Sequence, residues 1–122
     1  MTLEASYAAY RPSGEFDFDT TVKLIDDALA YCRDNGIACL LADITSVTGF
    51  PPPSMAQRFQ FATQWSATAA GRVALAMIAP PDMIDKDRIG VTMLNNRGMR
   101  SEVFTSEPDA MHWLGTVCAQ DK

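Results

Sequence analysis

Short apolar segments that follow glycine-terminated helical patterns are the feature that most restricts how this chain can fold. Residues 37–42 and 73–79 are nearly uninterrupted apolar runs, and each follows a helix-like pattern that stops at a glycine, Gly36 or Gly71. Runs of this length suit strands buried on both faces, as in parallel sheets. The pattern therefore predicts repeated strand–helix units joined by right-handed crossovers.

Four such units account for the chain. Alternation from Leu3 to Tyr10 predicts the first strand, and Asp19 is the expected N-cap of a helix that ends at Gly36. Ser54 and Gln57 have the spacing of a capping box, which predicts that a second helix starts after a proline-containing loop. Later elements are expected at residues 84–97 (a helix interrupted at Gly90), 100–105 (a strand) and from Ser106 onward (a helix).

These elements predict one α/β domain over residues 1–122, with a small, mostly parallel four-stranded sheet and helices on both faces. A hydrophobic fraction of 48% and a charged fraction of 20% are ordinary for a globular chain that folds unaided. One core is enough for a chain of this length.

Charge and hydropathy limit the expected partners and location. The formal net charge is -5, the pI is about 4.6, and no basic stripe occurs, so we expect neither nucleic acid nor an anionic membrane as a partner. Residues 1–10 lack the pattern of a signal peptide, and no segment reaches the roughly 20 apolar residues needed to span a bilayer. We expect a cytoplasmic protein.

The three cysteines are expected to be free thiols in or near the core. Cys32, Cys39 and Cys118 are odd in number, share no CxxC spacing, and fall at positions where apolar residues are expected. This pattern argues against disulfides and against a zinc site.

No residue pattern assembles an enzyme active site. The glycines do not form a phosphate-binding motif, and the acids Asp82, Asp85 and Asp87 lack the glycine and distal glutamate of a calcium loop, so they are interpreted as helix N-terminal acids. The single histidine, His112, should face solvent from the last helix. We therefore expect no catalytic residues, no cofactor and no metal.

Two groups of residues are candidate sites. Asp43, Thr45 and Ser46 could form a polar pocket at the end of the second strand, where ligands gather in parallel sheets; alternatively, Asp43 accepts hydrogen bonds from nearby loop amides. On the second helix, Phe61 and Trp65 belong to an apolar arc of about 180°, wider than one sheet face requires, while Arg58 is expected on the wet side. Core packing explains the aromatics, and a self-association or apolar-ligand face is the alternative.

Several segments resemble the STAS domains, the anti-sigma-factor-antagonist family. Residues 14–17 (Gly-Glu-Phe-Asp), followed by Thr20, are similar to the G-E-L-D-x-x-T segment that opens the first helix of that family. Residues 40–47 are similar to its strand ending in L-D-L-S-x-V. Residues 73–79 and 97–104 resemble bacterial STAS-like proteins of unassigned function.

The resemblance implies a non-catalytic regulatory or scaffold domain that works through contacts with a protein partner or with itself as a homodimer. In the antagonist branch a serine of a D-S-S-G loop is phosphorylated, whereas the corresponding loop here has no Asp-Ser pair. Ser54 is the nearest serine by position and Ser46 precedes it, so these two are the candidate phospho-acceptors. The alternative function is a small apolar-ligand or lipid-binding domain, which an apolar cavity beside the second helix would favour over a flat aromatic patch.

Overall fold

The structure is a computed structural model that describes residues 2–3 and 7–118. Its strands are β1 (Thr2–Leu3), β2 (Ala8–Tyr10), β3 (Gly14–Glu15), β4 (Cys39–Asp43), β5 (Val47–Thr48), β6 (Ala74–Ile78) and β7 (Ser101–Phe104). Its helices are α1 (Phe18–Asp34), α2 (Met55–Ala69), α3 (Ile89–Asn96) and α4 (Glu107–Cys118), with a 3₁₀ turn at Pro81–Met83.

The main sheet confirms the predicted α/β architecture. Strands β2, β4, β6 and β7 are parallel neighbours in that order, and β1 adds an antiparallel edge beside β2. Helices α1 and α3 pack on one face and α4 on the other, while α2 packs against α1 and α3. The four parallel strands with helices on both faces are thus the predicted arrangement.

Strand β4 shows how the two faces are filled. Leu40 and Ala42 point into the larger core under α1, whereas Cys39 and Leu41 point into the smaller core under α4. All four side chains are fully buried, as the period of two and the covering of both faces require. The apolar run identified in the sequence is therefore a central strand.

The N-terminal segment differs from the prediction of one continuous strand. Strand β1 pairs antiparallel to β2, with Thr2 opposite Ala9 and Leu3 opposite Ala8, so the chain reverses direction between them. Residues 4–6, in the middle of the predicted strand, lie outside the described residues. The single-strand prediction is wrong because alternation is the same on both arms of a hairpin and does not reveal the reversal.

A second sheet joins two segments that were expected to be a turn and a loop. Strand β3 pairs in parallel with β5, and the Gly14 amide donates to the Ser46 carbonyl at 3.1 Å. The Phe16 amide donates to the Thr48 carbonyl at 2.7 Å. Gly49 has φ of +119°, and a β-carbon there would collide with the Phe16 backbone, so only glycine fits this crossing.

The helix ends follow local capping rules with two corrections. Ser54 accepts from the Gln57 amide at 3.1 Å and the Gln57 side chain accepts from the Ser54 amide at 2.9 Å, which confirms the capping box of α2. The N-cap of α1 is Asp17, not Asp19, because the Asp17 carboxylate accepts from the Thr20 amide at 2.7 Å. Helix α3 starts later than predicted, at Ile89.

The prediction of three free thiols is wrong for two of them. Cys39 and Cys118 form a disulfide with a Cα–Cα distance of 6.3 Å, which ties the end of α4 to the start of β4. Cys32 is free and buried in the opposite core, and burial raises the pKa of its thiol from 9.0 to about 11. The apolar neighbours of each cysteine indicated burial correctly but carried no information on which thiols meet across the fold.

Candidate functional site

Two aromatic residues of α2, Phe61 and Trp65, point inward, which agrees with the core-packing interpretation and not with the alternative of a surface interface at Trp65. The Trp65 side chain is 3% exposed, and its indole Nε1 donates to the Val22 carbonyl of α1 at 3.1 Å. Phe61 is half-buried and stacks on it with ring centroids 4.5 Å apart. Both rings face the space between α2 and the sheet, so Trp65 cannot form a surface contact in this fold.

Helix α3 approaches α2 closely and forms another wall of this space. Gly90 lies in the first turn of α3 and is buried, and a β-carbon at that position would lie 2.8 Å from Cζ of Phe61. That distance is shorter than real carbon contacts allow, so the glycine is a packing requirement and not a helix interruption. The Phe61 ring therefore rests directly on the backbone of α3.

An apolar cavity of about 90 Å³ remains between these helices and the sheet. Its volume is well above the roughly 10–15 Å³ that one water molecule needs, and protein interiors contain few voids larger than a water. The walls come from α1, α2, α3, β6 and β7 and are mainly aromatic and aliphatic; they include Phe18, Ile44, Phe61, Trp65, Leu75 and Val91. Such a cavity has the composition of a binding site for an apolar molecule.

Arg58 forms one polar edge of the cavity and is mostly buried, contrary to its predicted place on the solvent-exposed side of α2. Its side chain is 13% exposed and its Nε lies 3.5 Å from Oδ1 of Asp85. One Nη donates to the Pro53 carbonyl and the other donates to the Met83 carbonyl at 3.2 Å. Arg58 thus fastens the loop before α2 and the segment after β6 to the same helix.

Asp85 also ends the segment that leads into α3. Its carboxylate accepts from the Ile89 amide at 3.0 and 3.1 Å, the interaction expected of an acid at a helix N-terminus. This confirms the helix-terminus interpretation for Asp85, whereas Asp82 and Asp87 are exposed. With Arg58 beside it, the Asp85 carboxylate is engaged on both sides.

A second ion pair stands at the mouth of the cavity. The Arg88 guanidinium binds the Glu102 carboxylate and the Val103 carbonyl of β7, and Glu102 Oε1 accepts from the Val103 amide at 3.1 Å. Arg88 itself has a left-handed backbone with φ of 53°, a conformation that costs a non-glycine residue free energy. The cavity and a more open groove outside it share the residues Ile84, Asp85, Arg88, Glu102 and Val103.

The polar pocket predicted at the end of β4 is a local turn. The Asp43 carboxylate accepts from the Thr45 amide at 2.9 Å and from the Thr45 hydroxyl at 2.6 Å. This is the alternative in which Asp43 bonds to a nearby loop amide. Neither residue lines the cavity, although Ile44 between them does.

The two candidate phospho-acceptors lie outside the cavity as well. Ser46 is exposed, and its carbonyl accepts from Gly14 in the small second sheet. Ser54 is exposed and its hydroxyl oxygen holds the capping box described above. His112 is exposed on α4, as predicted. The residues described by the structure contain no group of three or more side chains of the kinds that hold a metal ion.

Sequence reasoning missed the four charged residues at the cavity: Arg58, Asp85, Arg88 and Glu102. One signal was present, since Arg58 is the only charged residue between Asp43 and Arg72 and lies in a helix of otherwise uncharged residues. A lone charge on a largely apolar helix is buried only when it is paired, and its partners come from distant segments.

Comparisons with known proteins add no relative. No family model, no curated protein and no solved structure matches the chain. Among residues 2–3 and 7–118, no helix has the length and apolar composition that crossing a bilayer requires.

Proposed function

We propose that the protein is a non-catalytic domain that binds a small apolar ligand in the cavity between α2, α3 and the sheet. The observation that carries this proposal is the cavity itself: about 90 Å³ of space with mainly apolar walls inside an otherwise close-packed core. The carboxylates at its edge are held by arginines and backbone amides, which leaves them poorly placed to act as a general base.

Binding can be tested through Trp65, because its indole lines the cavity. In a Trp113→Phe background Trp65 is the only tryptophan, and its fluorescence should change saturably when 1-octanol is added. Val91→Phe should abolish this change, since Val91 lines the cavity and the larger ring occupies the space. Val117→Phe is the matched control, because Val117 is equally half-buried but packs in the core under α4.

The result that would overturn the proposal is an absence of saturable binding, or binding that Val91→Phe leaves unchanged. Circular dichroism melts of each variant establish that a loss of binding does not come from unfolding. Because Val91→Phe fills existing space, it should disturb the fold less than the same change in a fully packed core.

The second candidate function is the regulatory or scaffold role of a cytoplasmic STAS-like domain. Its support is the exposure of Met55 and Phe59, 55% and 54%, which lie four residues apart at the start of α2. The guanidinium of Arg97 lies 5.0 Å from the centroid of the Phe59 ring and leaves much of it open to a partner. Phe59→Ser should weaken partner capture or self-association if this patch is used, and leave both unchanged if it is not.

A further inference from the structure

We infer that side chains from α3, from its N-terminus and from β7 itself close the β7 edge of the main sheet, which prevents a second copy of the chain from adding a strand there. Among the described residues, β7 is the last strand in the order β1-β2-β4-β6-β7. An open edge strand presents unpaired backbone groups that pair readily with another chain. This closure concerns self-association and does not require the cavity to hold a ligand.

The outer edge of β7 consists of the backbone groups of two residues, Ser101 and Val103. The carbonyls of Arg100 and Phe104 accept hydrogen bonds at 2.9 Å from amides in β6 and directly after it. In a parallel pair every second residue bonds to a given neighbour, so the groups of the residues between them point away from β6. Two amides and two carbonyls therefore face outward at this edge.

The side-chain amide of Asn95 pairs with Ser101 as the backbone of a neighbouring strand would. Asn95 Oδ1 accepts from the Ser101 amide at 3.2 Å, and Nδ2 donates to the Ser101 carbonyl at 3.1 Å. The same Nδ2 donates to the Val91 carbonyl one helical turn earlier at 3.0 Å, which orients the side chain. Both outward groups of Ser101 are thus occupied, and the residue is only 5% exposed although it lies on an edge strand.

Arg88 and Glu102 engage the outward groups of Val103. The Arg88 guanidinium donates to the Val103 carbonyl, and Glu102 Oε1 accepts from the Val103 amide at 3.1 Å. The two side chains also form an ion pair, with 44% and 31% of their surfaces exposed. Because this pair is accessible to solvent, it closes its half of the edge more weakly than Asn95 closes the other half.

These bonds are not needed for the ladder between β6 and β7, which uses the opposite side of the strand. They occupy the groups with which a strand of a second copy would pair. Pairing of two open β7 strands across a two-fold axis would join the sheets of two copies into one. If the protein forms a homodimer, the β7 edge is therefore not its interface.

The test opens the edge with the double variant Arg88→Ala and Asn95→Ala. In sedimentation velocity its association constant should exceed that of the wild type by about tenfold or more, because outward hydrogen-bonding groups become available for pairing. The matched control is Asn96→Ala with Arg100→Ala, which changes the same residue types and the same charge. Both control residues are exposed, and neither side chain bonds to β7 in the described structure, so the control should behave like the wild type.

Val103→Pro locates the contact between copies. Proline removes the outward Val103 amide and is tolerated on edge strands, so adding this change to the double variant should return its association to the wild-type level. Amide hydrogen exchange followed by NMR gives a second readout. In dilute protein, the Ser101 amide should exchange about tenfold faster in the double variant than in the wild type, because it loses its acceptor.

Closure of the edge is refuted if the double variant associates no more strongly than the wild type. It is equally refuted if the control associates as the double variant does, or if Val103→Pro leaves the association of a folded protein unchanged. Should one of these variants fail to fold, exchange at Ser101 in the wild type and in Asn95→Ala decides instead. Equal rates in those two proteins would show that Asn95 does not close the edge.

Discussion

Reduction of the Cys39–Cys118 disulfide should lower the free energy of unfolding by up to about 4.5 kcal/mol. The bond closes a loop between residues 79 positions apart, and the loop-closure entropy removed from the unfolded chain gives that value. For 122 residues, an unfolding entropy of about 2.1 cal/mol/K per residue converts this loss of free energy into a decrease in Tm of up to about 18 °C. Measured effects of disulfides often fall below this estimate, so the value is an upper bound.

The assay combines a thermal melt with a thiol titration. Unfolded without reductant, the protein should show one reactive thiol, Cys32, and after reduction it should show three. In the folded protein Cys32 should react slowly at pH 8, because it is buried and its pKa is raised to about 11. A protein with Cys39→Ala and Cys118→Ala should melt like the reduced protein and ignore reductant, whereas Cys32→Ala should keep the response.

Three reactive thiols in protein unfolded without reductant, together with a Tm that reductant does not change, would refute this reasoning and restore the free-thiol expectation. The same measurement bears on location. A protein kept in a reducing cytoplasm would hold Cys39 and Cys118 as thiols, whereas a protein from an oxidising compartment would hold them as a disulfide. Purification under non-reducing conditions must therefore precede the titration.

Two further predictions concern α2. Ser54→Ala should lower the free energy of unfolding by about 1 kcal/mol by removing the N-cap, whereas Ser54→Asp should preserve it, since aspartate also caps and favours the positive helix end; a melt in which alanine and aspartate behave alike would contradict the capping role. Trp65→Ala should lower the free energy of unfolding by about 3–5 kcal/mol, because it truncates a large side chain in the core. The double variant with Phe61→Ser and Trp65→Ser should unfold the chain. The control Phe59→Ser should change the free energy of unfolding by about 0.5 kcal/mol or less, because Phe59 is exposed. A folded, monomeric double variant in sedimentation and dichroism would show that the rings form an interface instead.

The helices and central strands could be predicted because their signals are local. The capping box of Ser54 and Gln57 needs only residues three apart. Gly36 and Gly71 follow helices α1 and α2 with φ of +70° and +72°, the left-handed geometry that glycine adopts most easily. Strands β4 and β6 follow from their uninterrupted apolar composition.

The features that could not be predicted depend on contacts between distant segments. The pairing of β3 with β5 joins residues more than 30 positions apart and adds only two residue pairs, too few to leave a periodic pattern. The disulfide depends on where α4 lies over β4. The cavity depends on three distances at once: that of Phe61 to Gly90, that of Arg58 to Asp85 and that of Arg88 to Glu102.

The wide apolar arc of α2 is explained by three different surroundings. Ala62, Trp65 and Ala69 are buried in the core shared with α1, Phe61 rests on α3, and Met55 and Phe59 remain in solvent. One helix therefore needs apolar residues in more directions than a sheet-packed helix does. The width of the apolar arc predicted that α2 contacts more than one sheet face, but it did not predict the direction of each contact.

The cavity beside α2 carries a measurable cost, and that cost is an argument for its use. At about 24 cal/mol per Å³, a closed and empty cavity of about 90 Å³ lowers stability by roughly 2 kcal/mol, compared with the roughly 5–15 kcal/mol that holds a domain folded. This value is an upper bound here, because the cavity opens at its mouth to the groove outside. Exchanging Val91 for a larger aliphatic residue would recover part of that free energy. Instead, the Arg58–Asp85 and Arg88–Glu102 pairs hold the surrounding segments in place. A ligand that fills the space recovers the same free energy on binding, so such a ligand should raise Tm most strongly in the protein whose cavity is unaltered.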